Sequence, residues 1–99
     1  MEKKKARQIM SALSQDTRYR IFETLTAAGA QGMAAGEIST AVKCAANSVS
    51  AHMTILSAAG LVRSRKNGRS VIYRAMPKAV SDLASLLAAI AVNTPQSFE

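Results

Sequence analysis

The hydrophobic period changes once along this chain, and that change limits the fold more than any other feature of the sequence. Up to Gly60 apolar residues recur at spacings of three and four; from Leu61 to Arg74 they alternate with polar ones around an Asn67-Gly68 pair. The first spacing gathers apolar side chains on one face of a helix, and the second gathers them on one face of a strand. Asn-Gly accepts the positive φ angles of a type I′ turn, so Leu61–Lys66 and Arg69–Arg74 are expected to pair as a β-hairpin.

The helical part divides readily. Ala6, Ile9, Met10 and Leu13 predict a helix over Lys3–Leu13, and Tyr19, Ile21, Phe22 and Leu25 predict a second from Thr17. Ser14 or Asp16 is expected to cap the second helix and Gly29 to end it, with Ala28–Gly32 as the linking loop. A short helix follows within Met33–Lys43, with Ile38, Ala41 and Val42 inward. A longer one begins at Asn47 on a seam of Val49, Met53, Leu56 and Ala59 and stops at Gly60. Pro77 can open a last helix over Lys78–Ala91, with Val80, Leu83, Leu87 and Ile90 on one face and Leu86 beside them; Asn93–Glu99 reads as a frayed tail. The expected class is mostly α with a small β-hairpin, in the order α-α-α-α-β-β-α, as one domain over 1–99. That order is a winged helix-turn-helix.

Charge then directs attention to the partner. Thirteen Lys and Arg against six Asp and Glu give +7 at pH 7, a field that attracts polyanions, with nucleic acid first and an anionic membrane surface second. A wing beside a recognition helix sets basic side chains on DNA phosphates, and Arg63, Arg65, Lys66 and Arg69 are the expected contacts; Arg74 is also basic, but strand alternation keeps the hairpin cations from sharing one face. On the helix after Cys44, Asn47, Ser48, Ser50, Ala51 and Thr54 point away from the apolar seam and are expected to face DNA. His52 lies at the seam's edge and suits either a phosphate contact or a nearby carbonyl. The apolar stretch Leu83–Val92 is short of the roughly 20 residues a membrane span needs. The N-terminus has no secretion-signal pattern and the single cysteine suits a reducing compartment, so a cytoplasmic protein is expected.

Three segments, "ALSQDTRYRIFETL", "AAGEISTAV" and "NSVSAHMTILSAAGLVRSRKNGRSVIYRA", resemble the ArsR/SmtB family of bacterial winged-helix repressors over Ser11–Ala75. The most specific parts are Asp16-Thr17-Arg18 with Arg20-Ile21, Ser50-Ala51-His52-Met53, and Ala59-Gly60-Leu61-Val62 running into Gly68-Arg69 and Tyr73. The resemblance implies a homodimeric repressor of operator DNA that is released by an inducer, commonly a metal ion or arsenical. It places the helix Asn47–Ala58 in the major groove and makes the first and last helices the dimer surface. Ile9, Met10, Leu13, Val80, Leu83, Leu86, Leu87 and Ile90 carry the apolar surface such a dimer would bury.

The sequence departs from the family at its sensing positions. Where thiolate sensors carry Cys-x-Cys ahead of an acid, this chain has Ala34 and Gly36 ahead of Glu37. Its last helix offers Asp82 alone among acids and no histidine, and no cysteine falls near Asn93–Gln96. Zinc and arsenic need three or four convergent donors, so no metal site and no cofactor are expected, and the inducer is unknown. Cys44, where the family has a small apolar residue, reads as a small buried hydrophobe or as a redox switch. Lys43 replaces the glycine usual at this turn, and Glu37 suits a structural role. Arg18 and Arg20 suit ion pairing or capping as readily as a DNA contact, and Lys3, Lys4, Lys5 and Arg7 form a solvated run or a basic arm. No set of residues converges as a catalytic site would require, so an enzyme is not expected. Beside the repressor stand two other readings, a winged-helix protein-interaction module and a nonspecific architectural DNA binder.

Overall fold

The computed structural model describes residues 1–93 and residue 95; the expected frayed tail lies, apart from Asn93 and Pro95, outside the described residues. The elements are α1 (Lys3–Leu13), α2 (Asp16–Ala28), a 3-10 turn (Gly29–Gln31), β1 (Met33–Ala34), α3 (Ala35–Val42), α4 (Ala46–Ala58), β2 (Val62–Asn67), β3 (Ser70–Ala75) and α5 (Pro77–Val92). The expected helices and hairpin are present, and one strand is added. β1 pairs antiparallel with β3, Met33 opposite Tyr73 and Ala34 opposite Ile72, so the sheet has three strands in the order β1-β3-β2.

The extra strand depends on a close approach at Gly32. With φ +68 it takes a conformation that L side chains rarely adopt, and a Cβ there would run into the Tyr73 carbonyl oxygen and sit 2.9 Å from Ile72 Cγ2. Glycine removes both obstacles, and β1 can lie against β3.

The ends of α2 form as the chemistry suggests, with a different capping residue. Ser14 closes α1 instead, its hydroxyl donating to the Ser11 carbonyl at 2.7 Å, and Asp16 is already inside α2. The cap of α2 is Gln15, whose side-chain oxygen accepts from the Arg18 amide at 2.7 Å. At the other end Gly29 leaves the helix with φ 74, as expected.

The hairpin turn is shifted by one residue from the expected one. Asn67 pairs with Ser70, which leaves Gly68-Arg69 as the two central residues. Only Gly68 has positive φ, so the pattern is that of a type II′ turn, with glycine first, rather than type I′ on Asn67-Gly68. Register then sorts the strands. Val62, Ser64, Lys66, Val71, Tyr73 and Ala75 share one face, and Arg63, Arg65, Asn67, Ser70, Ile72 and Arg74 share the other.

Val62, Tyr73 and Ala75 turn the first face toward the core, where Ile9, Ile21, Leu25, Ile38, Val49, Met53, Leu56 and Leu61 are buried together. Ile72, apolar enough for that core, is half-buried on the opposite face, because strand alternation sets it on the other side from Tyr73. The first and last helices do more than cover the outside: Ala6, Ile9, Ala12 and Leu83 belong to the core. Among the described residues no helix is long and apolar enough to cross a membrane.

Candidate nucleic-acid interface

α3, a tight turn and α4 form the helix-turn-helix, and the turn is tied down from two sides. Lys43 ends α3 in the left-handed region (φ 54, ψ 51), the conformation glycine would supply without strain. Arg20 reaches across from α2 and donates through Nη2 to the Val42 carbonyl at 2.9 Å. Cys44 is half-buried against the core; its amide donates to the Ser39 carbonyl at 3.1 Å, and its own carbonyl accepts from the Ser39 hydroxyl. Glu37 holds the start of α3, accepting from the Ala34 amide at 2.8 Å. Arg20 and Glu37 both brace the helix-turn-helix through these bonds.

α4 rests on the core through Val49, Met53 and Leu56 and turns its other side outward. Asn47, Ser48, Ser50, Ala51 and Thr54 are all exposed. Ile55 is exposed as well, at 42%, next to Ala51 and Thr54 on the outward side. Nothing in its spacing marks Ile55 as a surface residue, yet an apolar side chain here can meet a thymine methyl in the major groove. Ala45, at the N-cap, has no side chain to occupy the first amides of α4, while the Asn47 side chain accepts from the Ser48 amide at 2.9 Å. First-turn amides that Ala45 does not cap suit a phosphate.

His52 is half-buried beside α2, not on the outward face. Arg18 Nη1 lies 3.4 Å from His52 Nδ1, and Arg18 Nε donates to the Ala12 carbonyl at 2.8 Å. A guanidinium has only donors, so the contact requires an unprotonated Nδ1. Burial, and then the Arg18 charge, hold the His52 pKa below the usual histidine value. Arg18 therefore connects α1, α2 and α4.

The basic run at the N-terminus is helical rather than a loose arm. Lys3, Lys4 and Arg7 are exposed on α1, whereas Lys5 Nζ and Gln8 Nε2 donate to the Ala58 carbonyl at 3.3 and 3.2 Å, stabilising the C-terminal end of α4. In the hairpin Arg63, Arg65, Lys66, Arg69 and Arg74 are all exposed. The two ion pairs among the described residues, Asp16–Arg20 and Lys78–Asp82, lie within helices and leave these five cations without a carboxylate partner. Lys66 faces the core side of the sheet beyond its packed part, Arg69 stands in the turn, and Arg63, Arg65 and Arg74 line up on the opposite face.

The surface expected for dimerisation divides in the same manner. Ile9 (0% exposed) and Leu83 (7%) are already buried in the protomer and present nothing to a second chain, while Leu13, Val80 and Leu86 are half-buried against the core. Met10, Leu87 (42%) and Ile90 (57%) remain exposed. Among the described residues no three His, Cys, Asp or Glu side chains are grouped to hold a metal ion.

A model for a helix-turn-helix domain matches residues 13–65, the stretch from the end of α1 through α4 into β2. An ArsR-like transcriptional regulator from Rhodococcus sp. RHA1 is 30% identical, with 89% of this chain and 80% of that one aligned at a TM-score of 0.79. The chain belongs to the ArsR family of winged helix-turn-helix transcriptional regulators. Other members of the ArsR family and their structural relatives are equally recognisable. The homodimeric winged helix-turn-helix DNA-binding domain of a Mycobacterium bovis protein is 30% identical over 90% of this chain and 77% of that one, with a TM-score of 0.68. HlyU from Vibrio cholerae is 25% identical over 90% of this chain and 97% of its own, with a TM-score of 0.69. No curated protein sequence matches the chain. As an ArsR-type regulator it is a DNA-binding protein, with α4 as the second helix of its helix-turn-helix.

Proposed function

We propose that this ArsR-type regulator is a cytoplasmic homodimeric repressor that binds an inverted-repeat operator and has no catalytic activity. The observation that carries the reading is the outward side of α4. Its polar positions are exposed together, no side chain caps its N-terminus from Ala45, and the neighbouring hairpin carries cations with no carboxylate partner among the described residues. In the bound complex Asn47, Ser48, Ser50, Ala51, Thr54 and Ile55 meet base edges and sugar-phosphate, and Arg63, Arg65, Lys66 and Arg69 contribute to backbone neutralisation. His52 acts through the position of α4 rather than by direct readout.

Met10, Leu87 and Ile90 support a dimer through α1 and α5, as does the homodimeric Mycobacterium bovis domain. A two-fold axis between these helices sets two α4 helices about one DNA turn apart, roughly 34 Å, and asks for a palindromic site. The inducer is not a zinc or arsenite ion held in the usual family sites, because Ala34 and Gly36 lack donor side chains and α5 supplies only Asp82.

The test is selection of bound fragments from genomic DNA by the purified protein, followed by affinity measurement at fixed salt. A repressor of this kind prefers an inverted repeat over random duplex by about a thousandfold or more. Equal affinity for all duplexes would leave a nonspecific architectural protein instead.

A further inference from the structure

Two adjoining depressions lie behind the hairpin, and they differ in chemistry. The first, about 500 Å³, is lined by Arg63, Arg65 and Arg74 together with Ile72 and Ala30. The second, about 290 Å³, is lined mainly by apolar groups, including Leu25, Ala75, Met76 and Pro77. Ala30 and Arg74 belong to both walls, so a basic concavity borders an apolar one.

We propose that this double depression binds a small amphipathic carboxylate, with its anionic end on the three arginines and its hydrocarbon body toward Met76 and Pro77, and that binding weakens the hold on DNA. The strand register sets Arg63 directly opposite Arg74, with Arg65 on the same face, and no carboxylate pairs with any of the three among the described residues. Like charges gathered without a counterion repel one another, and an arriving carboxylate relieves that repulsion while accepting paired N–H bonds from guanidinium. A phosphate or sulfate ion has no use for the apolar hollow. A duplex backbone would likewise leave the apolar hollow empty. The arginine face is opposite the one packed on the core that seats α4, and the wall it forms with the 3-10 turn is concave. The two volumes are of the order expected for small-molecule sites, roughly 300–1,000 Å³, which combine an apolar lining with a few placed polar groups.

The effect on DNA rests on the reading of Arg63 and Arg65 as wing cations. A bound carboxylate neutralises part of their charge, so ligand and DNA bind less well together than apart, and by linkage each lowers the other's affinity by the same factor.

The full chain is titrated by calorimetry with octanoate, acetate and inorganic phosphate, and the titrations are repeated on Arg74→Ala. Octanoate is expected to bind about tenfold or more tighter than acetate or phosphate, and Arg74→Ala, with an unchanged thermal melt, to lose about tenfold of that affinity. Octanoate no tighter than acetate or phosphate would reduce the site to a cation patch and overturn the proposal, as would undiminished octanoate binding by Arg74→Ala. In the second measurement octanoate is added to the protein–duplex complex. Wild type is expected to release DNA, and Arg74→Ala to be far less responsive. Octanoate binding that leaves wild-type DNA affinity unchanged would overturn the coupling alone. Octanoate binding by a protein with no affinity for any duplex would uphold the ligand site while removing the repressor reading. If Arg74→Ala in the absence of octanoate loses as much DNA affinity as Arg69→Ala, Arg74 is a phosphate contact rather than a ligand residue and the ligand site is wrong.

Discussion

Arg18 joins the end of the first helix to the middle of the recognition helix: its Nε donates to the Ala12 carbonyl at 2.8 Å and its Nη1 stands 3.4 Å from His52 Nδ1. Both contacts need the guanidinium, and the second also needs a neutral imidazole. The position of α4 is therefore linked to the protonation of one side chain.

That link sets a pH dependence. Because the folded-state pKa of His52 is lowered, by burial first and by the Arg18 charge second, the folded protein binds a proton less readily than the unfolded chain. The corresponding stability is fully present above the unfolded value of about 6.5 and is lost as pH falls through the lower folded value. Denaturant unfolding between pH 7.5 and pH 5 is expected to show a downward step in wild type that is absent in His52→Gln. In Arg18→Ala the imidazole pKa, followed by NMR, should move up toward the usual value. A His52 resonance unmoved by that substitution would show that the guanidinium does not act on the ring.

Lys43 holds a left-handed conformation that disfavours a side chain by about 1–2 kcal/mol, whereas glycine adopts it freely but has more unfolded-state freedom to lose. The net expectation for Lys43→Gly is a gain of about 0.5–1 kcal/mol, visible as a melting temperature several degrees higher. A lower melting temperature would mean that the lysine stem contributes packing of its own.

Gly32 has the opposite character. In Gly32→Ala the new methyl meets the Tyr73 carbonyl and Ile72 Cγ2 in a backbone conformation that is itself unfavourable, so β1 must move away from β3. A loss of about 2–4 kcal/mol is expected in denaturant titration, from left-handed strain plus overpacking.

At the other end of the sheet Arg69 is exposed in the turn and has no carboxylate partner among the described residues. Arg69→Ala should weaken specific and random duplexes by the same factor and reduce the slope of log affinity against log salt by about 0.9, the signature of one lost phosphate contact. Loss confined to a single base position would identify direct readout instead.

Leu87, 42% exposed on α5, is expected to lie in the dimer interface, where burying a leucine is worth roughly 1.5–3 kcal/mol. Two such positions are disturbed per dimer. Leu87→Glu should sediment as a folded monomer at micromolar concentration and bind the operator at least about tenfold more weakly, since it can occupy only one half-site. A dimer of undiminished affinity would remove α5 from the interface.

Much of this architecture was legible in the sequence because it is locally encoded. Val49, Met53, Leu56 and Ala59 mark one side of a helix by spacing alone, and all four are buried in α4 or directly after it. The exposed polar positions of α4 follow from that seam, the hairpin follows from alternation, and the affinity for polyanions follows from net charge. Where the reading went astray, the deciding contact came from far along the chain. β1 has only two residues, too few to show a period, and exists because Tyr73 and Ile72 return to pair with it. Asn67-Gly68 and Gly68-Arg69 are both acceptable turns and both leave Val62, Tyr73 and Ala75 on one face; the folded chain takes the second, setting Val62 opposite Ala75, a choice that alternation alone does not make. Spacing made Ile9, Met10, Leu83 and Leu87 equivalent, yet packing of α1 and α5 on the rest of the protomer buried Ile9 and Leu83 and left Met10 and Leu87 outside. Periodicity can say which residues share a face, but which part of that face is covered depends on the neighbours that only the folded chain brings into contact.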